Sequence, residues 1–505
     1  MGGLHMRGIP SFVTDVRKKV FTEVARMAYD GDYSRMEELP YIIVPGEIAA
    51  HRESIFLERA IAGERVRLAM GLPLRPVQEH TLLSDGVTES AVAEKYYDPP
   101  LINIINYACN ACPTKQVRVT EFCQGCLSQS CHQVCPKDAI KFVHGKSVID
   151  QEKCIKCGRC VDACPYHAII KIDRPCVAAC GMDAIGSDEY GRAKINYDRC
   201  VSCGQCLVSC PFGAIVDKGQ IFQLIHSIKR GDQVIAILAP AFVSQFGPLL
   251  TPEKMTAAMK LLGFDSVVEV AIGADLCTLD EAKDFLEKVP TEQPYMGTSC
   301  CPAWISMVDV DYPDQKNNIS MTLTPMVLTA RMVKKQNPGC KVAFIGPCAA
   351  KKLEASREHI RSDVDFVLTF EELQGMFEAK NIWYADVVGD DPLDNGSADG
   401  RGFAVSGGVA KAVMNVIHRM EPERDVKIMQ AEGLRDCRKM MAQAKAGKLN
   451  GYLLEGMGCP GGCVAGAGTI RPINKAMAQI ALYQKAAPIQ NAEGSEFKDL
   501  AETLD

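Results

Sequence analysis

Met457-Gly-Cys-Pro-Gly-Gly-Cys-Val-Ala-Gly-Ala-Gly468 begins two residues after the short apolar run Gly451–Leu454. A strand that runs out into a glycine-rich turn bearing two cysteines marks a site at the carboxyl end of a parallel sheet, where α/β proteins bind ligands. Lys341–Ile345 leads in the same way into Gly346-Pro-Cys-Ala-Ala-Lys-Lys352. Gln233–Leu238 and Ser266–Val270 are further short apolar runs, each followed by a turn and then helix-like sequence. This alternation predicts parallel α/β layers over residues 221–486. A third cysteine segment is Thr298-Ser-Cys-Cys-Pro-Ala-Trp304. Cys301, Cys348, Cys459 and Cys463 together make a full thiolate set for one 4Fe–4S cube. Each lies beside proline or in a glycine-rich turn, where the backbone can close around an inorganic core. Cys300 is left over, and a spare thiol beside a cube suggests proton chemistry as well as electron storage.

The chain has 505 residues, enough for three or four domains at about 100–200 residues each. Its net charge of −6, with no block of Lys or Arg, argues against nucleic acid as an obligate partner. No apolar run reaches the roughly 18–20 residues of a membrane span; Val234–Leu250 is broken by Gln245, Gly247 and two prolines. Met1-Gly-Gly-Leu-His-Met6 lacks a signal-peptide core and a myristoylation Ser/Thr, so the expected compartment is the cytoplasm. Residues 1–100 contain no cysteine and predict a helical segment, with Val16–Tyr29 and Arg52–Met70 amphipathic. Prolines 73, 76, 99 and 100 separate this segment from the cysteine-rich region beyond it; a wrapping or docking role is expected. Residues 487–505 form a polar tail.

Twenty-four cysteines in a long chain with no export signal favour metal over disulfides. Sixteen fall between Cys109 and Cys210, within residues 101–220. A local repeat recurs there four times: Cys131-His-Gln-Val-Cys-Pro-Lys-Asp-Ala-Ile140, Cys160-Val-Asp-Ala-Cys-Pro-Tyr-His-Ala-Ile169, Cys176-Val-Ala-Ala-Cys-Gly-Met-Asp-Ala-Ile185 and Cys206-Leu-Val-Ser-Cys-Pro-Phe-Gly-Ala-Ile215. Duplicated small units of an α+β bacterial-ferredoxin-like domain are expected.

Cys154-x2-Cys157-x2-Cys160-x3-Cys164-Pro and Cys200-x2-Cys203-x2-Cys206-x3-Cys210-Pro are two bacterial ferredoxin runs. The fourth cysteine of such a run ligates the other cluster. That rule assigns Cys154, Cys157, Cys160 and Cys210 to one cube, and Cys164, Cys200, Cys203 and Cys206 to its neighbour. Cys109, Cys112, Cys123, Cys126, Cys131, Cys135, Cys176 and Cys180 suffice for two more, four accessory cubes in all. By analogy Cys123, Cys126 and Cys131 take Cys180, leaving Cys109, Cys112, Cys135 and Cys176. One extra cube with free thiols, or a zinc site, is the alternative. His132 and His167 read as bystanders. Such cubes in series form a wire, and low-potential ferredoxin clusters near −400 mV match the proton/hydrogen couple, about −0.41 V at pH 7 from 59 mV per pH unit.

Over about 150 to 485 these motifs resemble the iron-only (FeFe) hydrogenases. The resemblance implies an oxidoreductase of anaerobic metabolism that interconverts 2H⁺ + 2e⁻ and H₂. Its catalytic domain would hold an H-cluster between two lobes of parallel sheet flanked by helices. Cys301, Cys348, Cys459 and Cys463 would hold the H-cluster cube. Cys463 would also bridge to a di-iron unit carrying carbonyl, cyanide and an azadithiolate. Cys300 would pass protons to that unit's amine, fed by Glu281, Asp284 and Ser320. Glu281, Asp284 and Lys288 share a face of a predicted helix, and a solvated face with an Asp284–Lys288 pair is the plainer reading. Lys351 would donate to a cyanide, Pro240 and Ala241 would face the cyanides, and Met457 would pack on the cluster. Implied partners are a ferredoxin, docked on a basic face such as Lys137/Lys141, and the maturation proteins that install the di-iron unit.

The motifs depart from the best-known members at Ala303, at Gly346 and in the third signature, which is more similar to the branch called group B. Cys277, Cys340 and Cys437 match no ligand position and read as structural. Two other functions remain: a hydrogen sensor of low activity, and a non-catalytic iron–sulfur assembly protein of the hydrogenase-like family. Relatives of the latter kind lack the thiol matching Cys300.

Overall fold

The computed structural model describes residues 8–504 apart from 390 and 394; the stretch Met1–Met6, read above for a leader, lies outside them. Helices form where amphipathic periodicity predicts them. α1 (Phe12–Asp30) starts at a capping box between Ser11 and Thr14 and ends at Gly31 in the left-handed conformation. α2 (Ile55–Ala69) packs along it, and both add apolar side chains to the core of the large α/β region; α2 is buried almost all round from Ile61 to Ala69, Glu64, Arg65 and Arg67 included, so it is not the two-faced helix expected. The N-terminal segment is therefore built into the body of the protein.

The cysteine-rich region is a set of two-stranded antiparallel sheets. In chain order its strands are β1 (Ile102–Ile104), β2 (Gln116–Val119), β3 (Ile140–Val143), β4 (Lys146–Ile149), β5 (Ile169–Ile172), β6 (Ile185–Ser187), β7 (Ala193–Ile195) and β8 (Ile215–Asp217). β1 pairs with β8, and inside that pair β2 pairs with β5. β3–β4 and β6–β7 are hairpins. The pairing is nested: everything from β2 to β5 is enclosed between β1 and β8.

The remainder carries two parallel sheets flanked by helices. β9 (Val234–Leu238), β10 (Ser266–Glu269), β12 (Lys341–Ile345) and β13 (Phe366–Leu368) lie in the order β10-β9-β12-β13. β11 (Met296–Gly297), β14 (Lys427–Glu432) and β15 (Tyr452–Met457) form the second sheet, in the order β11-β15-β14. β9 and β13 are buried along their whole length, as strands covered on both faces must be. α3 (Val270–Lys288) runs from the end of β10, and α4 (Phe370–Ala379) follows β13 and receives α1. Among the described residues no helix is long and apolar enough to cross a membrane.

A buried charge network joins the three regions. Lys352 reaches Asp217 on β8 at 2.8 Å and Glu372 on α4 at 3.0 Å. Arg17 on α1 reaches Glu371 at 2.6 Å and Asp217 at 3.6 Å. Burial works against the Lys352 ammonium, but the two carboxylates outweigh it and hold its pKa above the ordinary lysine value.

Candidate active site

Four strand ends deliver the predicted ligands to one place. β9 leads into Ala239-Pro240-Ala241, β11 into Thr298–Cys301, β12 into Gly346–Cys348, and β15 into Gly458–Cys463. One cavity of about 90 Å³ is lined by Cys300, Cys301, Cys348, Cys459 and Cys463, and by Pro240, Ala241, Lys351 and Met457. That is room for several water molecules or a compact inorganic group. Gly462 has φ 85°, and a Cβ there would meet the Ser406 nitrogen at 2.5 Å. Only glycine lets the third loop close here.

The donor set suits an iron–sulfur core. Burial first, then the charges of Cys459 and Cys301, push the Cys348 thiol up to about 12. Burial, then Cys348 and Cys301, push Cys463 up to about 12. Two thiols whose ionisation burial and neighbouring sulfurs oppose need a cationic core to become thiolates. A single Zn²⁺ would hold its thiolates about 3.8 Å apart, from Zn–S bonds of about 2.3 Å. Among the described residues no three His, Cys, Asp or Glu side chains close on a point in that way. The four sulfurs instead line the walls of one cavity. Two hydrogen bonds already reach them: Gly458 N–H to Cys301 Sγ at 3.4 Å, and the Gln205 amide to Cys459 Sγ at 3.1 Å.

Cys300 is partly exposed and opens onto the cavity. Burial, then the charges of Glu281, Cys301, Glu455 and Cys277, hold its thiol well above the ordinary range. Glu281 on α3 is fully buried and accepts the Ser299 N–H at 2.6 Å. Desolvation pushes its carboxyl up to about 7. Asp284, one turn on, is partly exposed and pairs with Lys288 at 2.9 Å, as the plainer reading has it. Ser320 donates its N–H to Gly297 O and accepts the Thr322 N–H. Among the hydrogen bonds of the described residues, none joins Ser320 to Glu281 or Asp284. Lys351 is buried, with Glu354 at 2.6 Å and Thr324 Oγ1 at 2.9 Å. Burial opposes its charge, and Glu354 more than offsets that.

Two residues at the site escaped the sequence reading. Glu455 is buried in β15, accepts N–H groups from Gly407 and Ala410 at 2.6 and 2.8 Å, and has its pKa raised by burial. A carboxylate inside an apolar strand run was the available signal. Gln205 lies between Cys203 and Cys206, and nothing in its type or spacing marks it. Cys277 is buried 3.8 Å from Ser299 Oγ, while Cys340 and Cys437 sit in apolar cores.

The accessory cysteines correct the sequence-based partition. Cys154, Cys157 and Cys160 share a cavity with Cys135, not Cys210. Cys200, Cys203 and Cys206 share one with Cys180, not Cys164. Cys180 is therefore not beside Cys123, Cys126 and Cys131, nor Cys135 beside Cys109, Cys112 and Cys176. The physical reason is the nesting: the two ferredoxin runs lie on opposite sides of the β2–β5 boundary, so they are not halves of one module. The second cavity abuts the site just described. Gly204, with φ 74°, brings its backbone so near that a Cβ would stand 2.5 Å from Ala467 Cβ.

Comparison with known proteins agrees with this geometry. The family described as "Iron only hydrogenase large subunit, C-terminal domain" matches residues 232–467, and "4Fe-4S binding domain" matches 147–170 and 193–216. The periplasmic [Fe] hydrogenase large subunit of Nitratidesulfovibrio vulgaris is 30% identical over 384 residues, covering 66% of this chain and 87% of that protein. The chain belongs to the iron-only hydrogenase family. Iron hydrogenase 1 of Clostridium pasteurianum is 27% identical over 455 residues, 77% of this chain and 78% of the relative. A probable cytosolic Fe-S cluster assembly factor of Aedes aegypti is 28% identical over 288 residues, 47% and 60% of the two chains. Among solved structures, an apo [FeFe]-hydrogenase from Chlamydomonas reinhardtii superimposes with TM-score 0.46 at 22% identity, over 54% of this chain and 89% of that one.

Proposed function

We propose that the protein is a hydrogenase catalysing 2H⁺ + 2e⁻ ⇌ H₂, with electrons exchanged through accessory 4Fe–4S cubes, four in number, with a ferredoxin-like carrier. One observation carries the reading: a single cavity collects four soft sulfur donors and, beside them, a fifth thiol that the cube does not need. Cys301, Cys348, Cys459 and Cys463 would hold the cube of an H-cluster, with Cys463 the bridge to its di-iron unit. When bound, that group would supply electron storage and the hydrogen chemistry itself.

The chain supplies the surroundings. Pro240, Ala241 and Met457 make the cavity wall apolar and exclude water. The Lys351 ammonium, fixed by Glu354 and Thr324, would present its positive charge to a cyanide of the bound group. Cys300 holds or releases a proton at Sγ. Glu281, with a pKa about 7, is poised to exchange protons near neutrality. Asp284, one turn further along the same helix, and Ser320 would carry the proton onward. Placement in group B rests on the third signature motif.

The similarity to iron–sulfur assembly factors favours one competing reading, in which the cube is kept and the catalytic unit is absent. Infrared spectroscopy of anaerobically matured protein decides between them. Metal-bound carbonyl and cyanide bands together with H₂ evolution are expected. A 4Fe–4S signal without those bands, under verified maturation, would overturn the enzyme reading.

A further inference from the structure

We propose that the accessory cysteines form two complete two-cube ferredoxin modules, one inserted within the other. In the inner module Cys154, Cys157, Cys160 and Cys135 hold one 4Fe–4S cube, and Cys123, Cys126, Cys131 and Cys164 hold the other. In the outer module Cys200, Cys203, Cys206 and Cys180 hold one, and Cys109, Cys112, Cys176 and Cys210 the other. This deepens the proposal of four accessory cubes, and it stands or falls independently of the hydrogen chemistry.

Strand pairing sets the boundaries. Gln116 is paired with Ile172, so the chain enters and leaves the inner module at neighbouring points. The outer module is closed in the same way by Ile104 against Ile215. Inside each module the cysteines meet as a crossed exchange requires, with the last cysteine of one run joining the three of the other. The cavities give two sets directly. Equivalent hydrogen bonds repeat in both modules: Ala139 N–H reaches Cys135 Sγ and Ala184 N–H reaches Cys180 Sγ, each at 3.3 Å. For the third set, Cys109, Cys176 and Cys210 pack in one small apolar core, and Arg174, two residues before Cys176, donates to the Cys112 carbonyl at 2.7 Å. In the fourth, Cys131 Sγ lies 3.4 Å from Ser147 Oγ, Ser147 also bonds Cys123, and Cys164 packs in the same small apolar core as Cys131.

The nesting orders the wire. Gln205 bonds Cys459 Sγ at 3.1 Å, and Gly204 packs closely on Ala467, so the outer module borders the catalytic cavity. The inner module carries exposed Cys157, Phe122 and Leu127, and is the end open to a carrier.

The test counts iron in full-length protein reconstituted anaerobically, with electron paramagnetic resonance of the reduced clusters. Replacing Cys154, Cys157 and Cys160 by alanine removes one cube, about four iron atoms. Adding Cys135→Ala to that variant should change neither the iron content nor the spectrum. Adding Cys210→Ala should cost at least about one more iron atom and give a 3Fe–4S signal or a further lost cube. Further loss with Cys135→Ala, or none with Cys210→Ala, overturns the proposal. Should these variants fail to accumulate, residues 116–172 are replaced by a short Gly/Ser linker across the Gln116–Ile172 pair. Retention of two accessory cubes, with about eight iron atoms lost, is then expected; loss of all four refutes the nesting. Carbonyl and cyanide bands report separately on the catalytic reading.

Discussion

Gln205→Leu should lower the reduction potential of the cube held by Cys459. The Gln205 side chain is buried, and its amide donates to Cys459 Sγ at 3.1 Å from a helical turn whose neighbours, Cys203 and Cys206, face the adjoining accessory site. Hydrogen bonds to charged acceptors contribute about 1.5–3 kcal/mol. The sulfur carries more negative charge when its cube is reduced, so only the difference between the two states moves the potential. A third of the bond, roughly 0.5–1 kcal/mol, is a reasonable share. At about 59 mV per 1.4 kcal/mol for one electron, this is a fall of about 20–40 mV. Leucine keeps the volume and removes the donor, so packing should change little. The assay is a spectroelectrochemical titration of wild type and variant at one pH, following both the infrared and paramagnetic signals. Potentials equal within about 10 mV, or shifted upward, would refute the reasoning.

Three further outcomes rest on buried charge. Lys352→Met strands Glu372, leaves Asp217 with Arg17 alone at 3.6 Å, and should cost about 3–5 kcal/mol; an unfolding measurement showing less than about 1 kcal/mol would mean that the network is not holding the regions together. Glu281 has a folded pKa about 7 against 4.5, so its burial costs nothing below pH 4.5 and increasingly more as pH rises to 7, up to about 3 kcal/mol. Glu281→Gln should therefore gain stability relative to wild type on going from pH 5 to pH 8, and a pH-independent difference would exclude the raised pKa. Cys300→Ala should reduce turnover by at least about 10²-fold, the usual contribution of a positioned proton donor, with carbonyl and cyanide bands intact. Activity within about tenfold of wild type would remove Cys300 from the proton path.

What could be read from the sequence was local. Cys348 and Cys459 come just after apolar runs and stand beside Pro or Gly, so strand, turn and donor are all within a dozen residues of one another. α1 and α2 are visible in the same way through helical periodicity. The exchange among accessory cysteines is misassigned by spacing alone because it depends on a long-range fact, namely that β2 pairs with β5 rather than with any strand near the second run. Spacing within a run cannot reveal which run is its partner. The charge network has the same origin: Arg17, Asp217, Lys352 and Glu372 come from four separate segments, and each alone reads as a surface charge. Glu455 was readable in principle, because a carboxylate within Tyr452–Met457 contradicts the apolar pattern around it.

The two traffics into the cavity meet different kinds of residue, and the difference is chemical. Around Cys300 stand Glu281, Glu455 and Cys277, acids whose pKa values burial raises. Raised in this way, such groups hold their protons to higher pH and can accept or give one without leaving a lasting charge in a dry pocket. Around Cys459 stands Gln205, which cannot titrate but can donate to sulfur, and so tunes an electron's energy without exchanging a proton. The buried cation at the cavity, Lys351, is tied by Glu354, and its charge works against the upward shift of Cys277. The proposed reaction brings one proton for each electron and would need both kinds of neighbour; this chain draws the first from α3 and β15 and the second from the ferredoxin region.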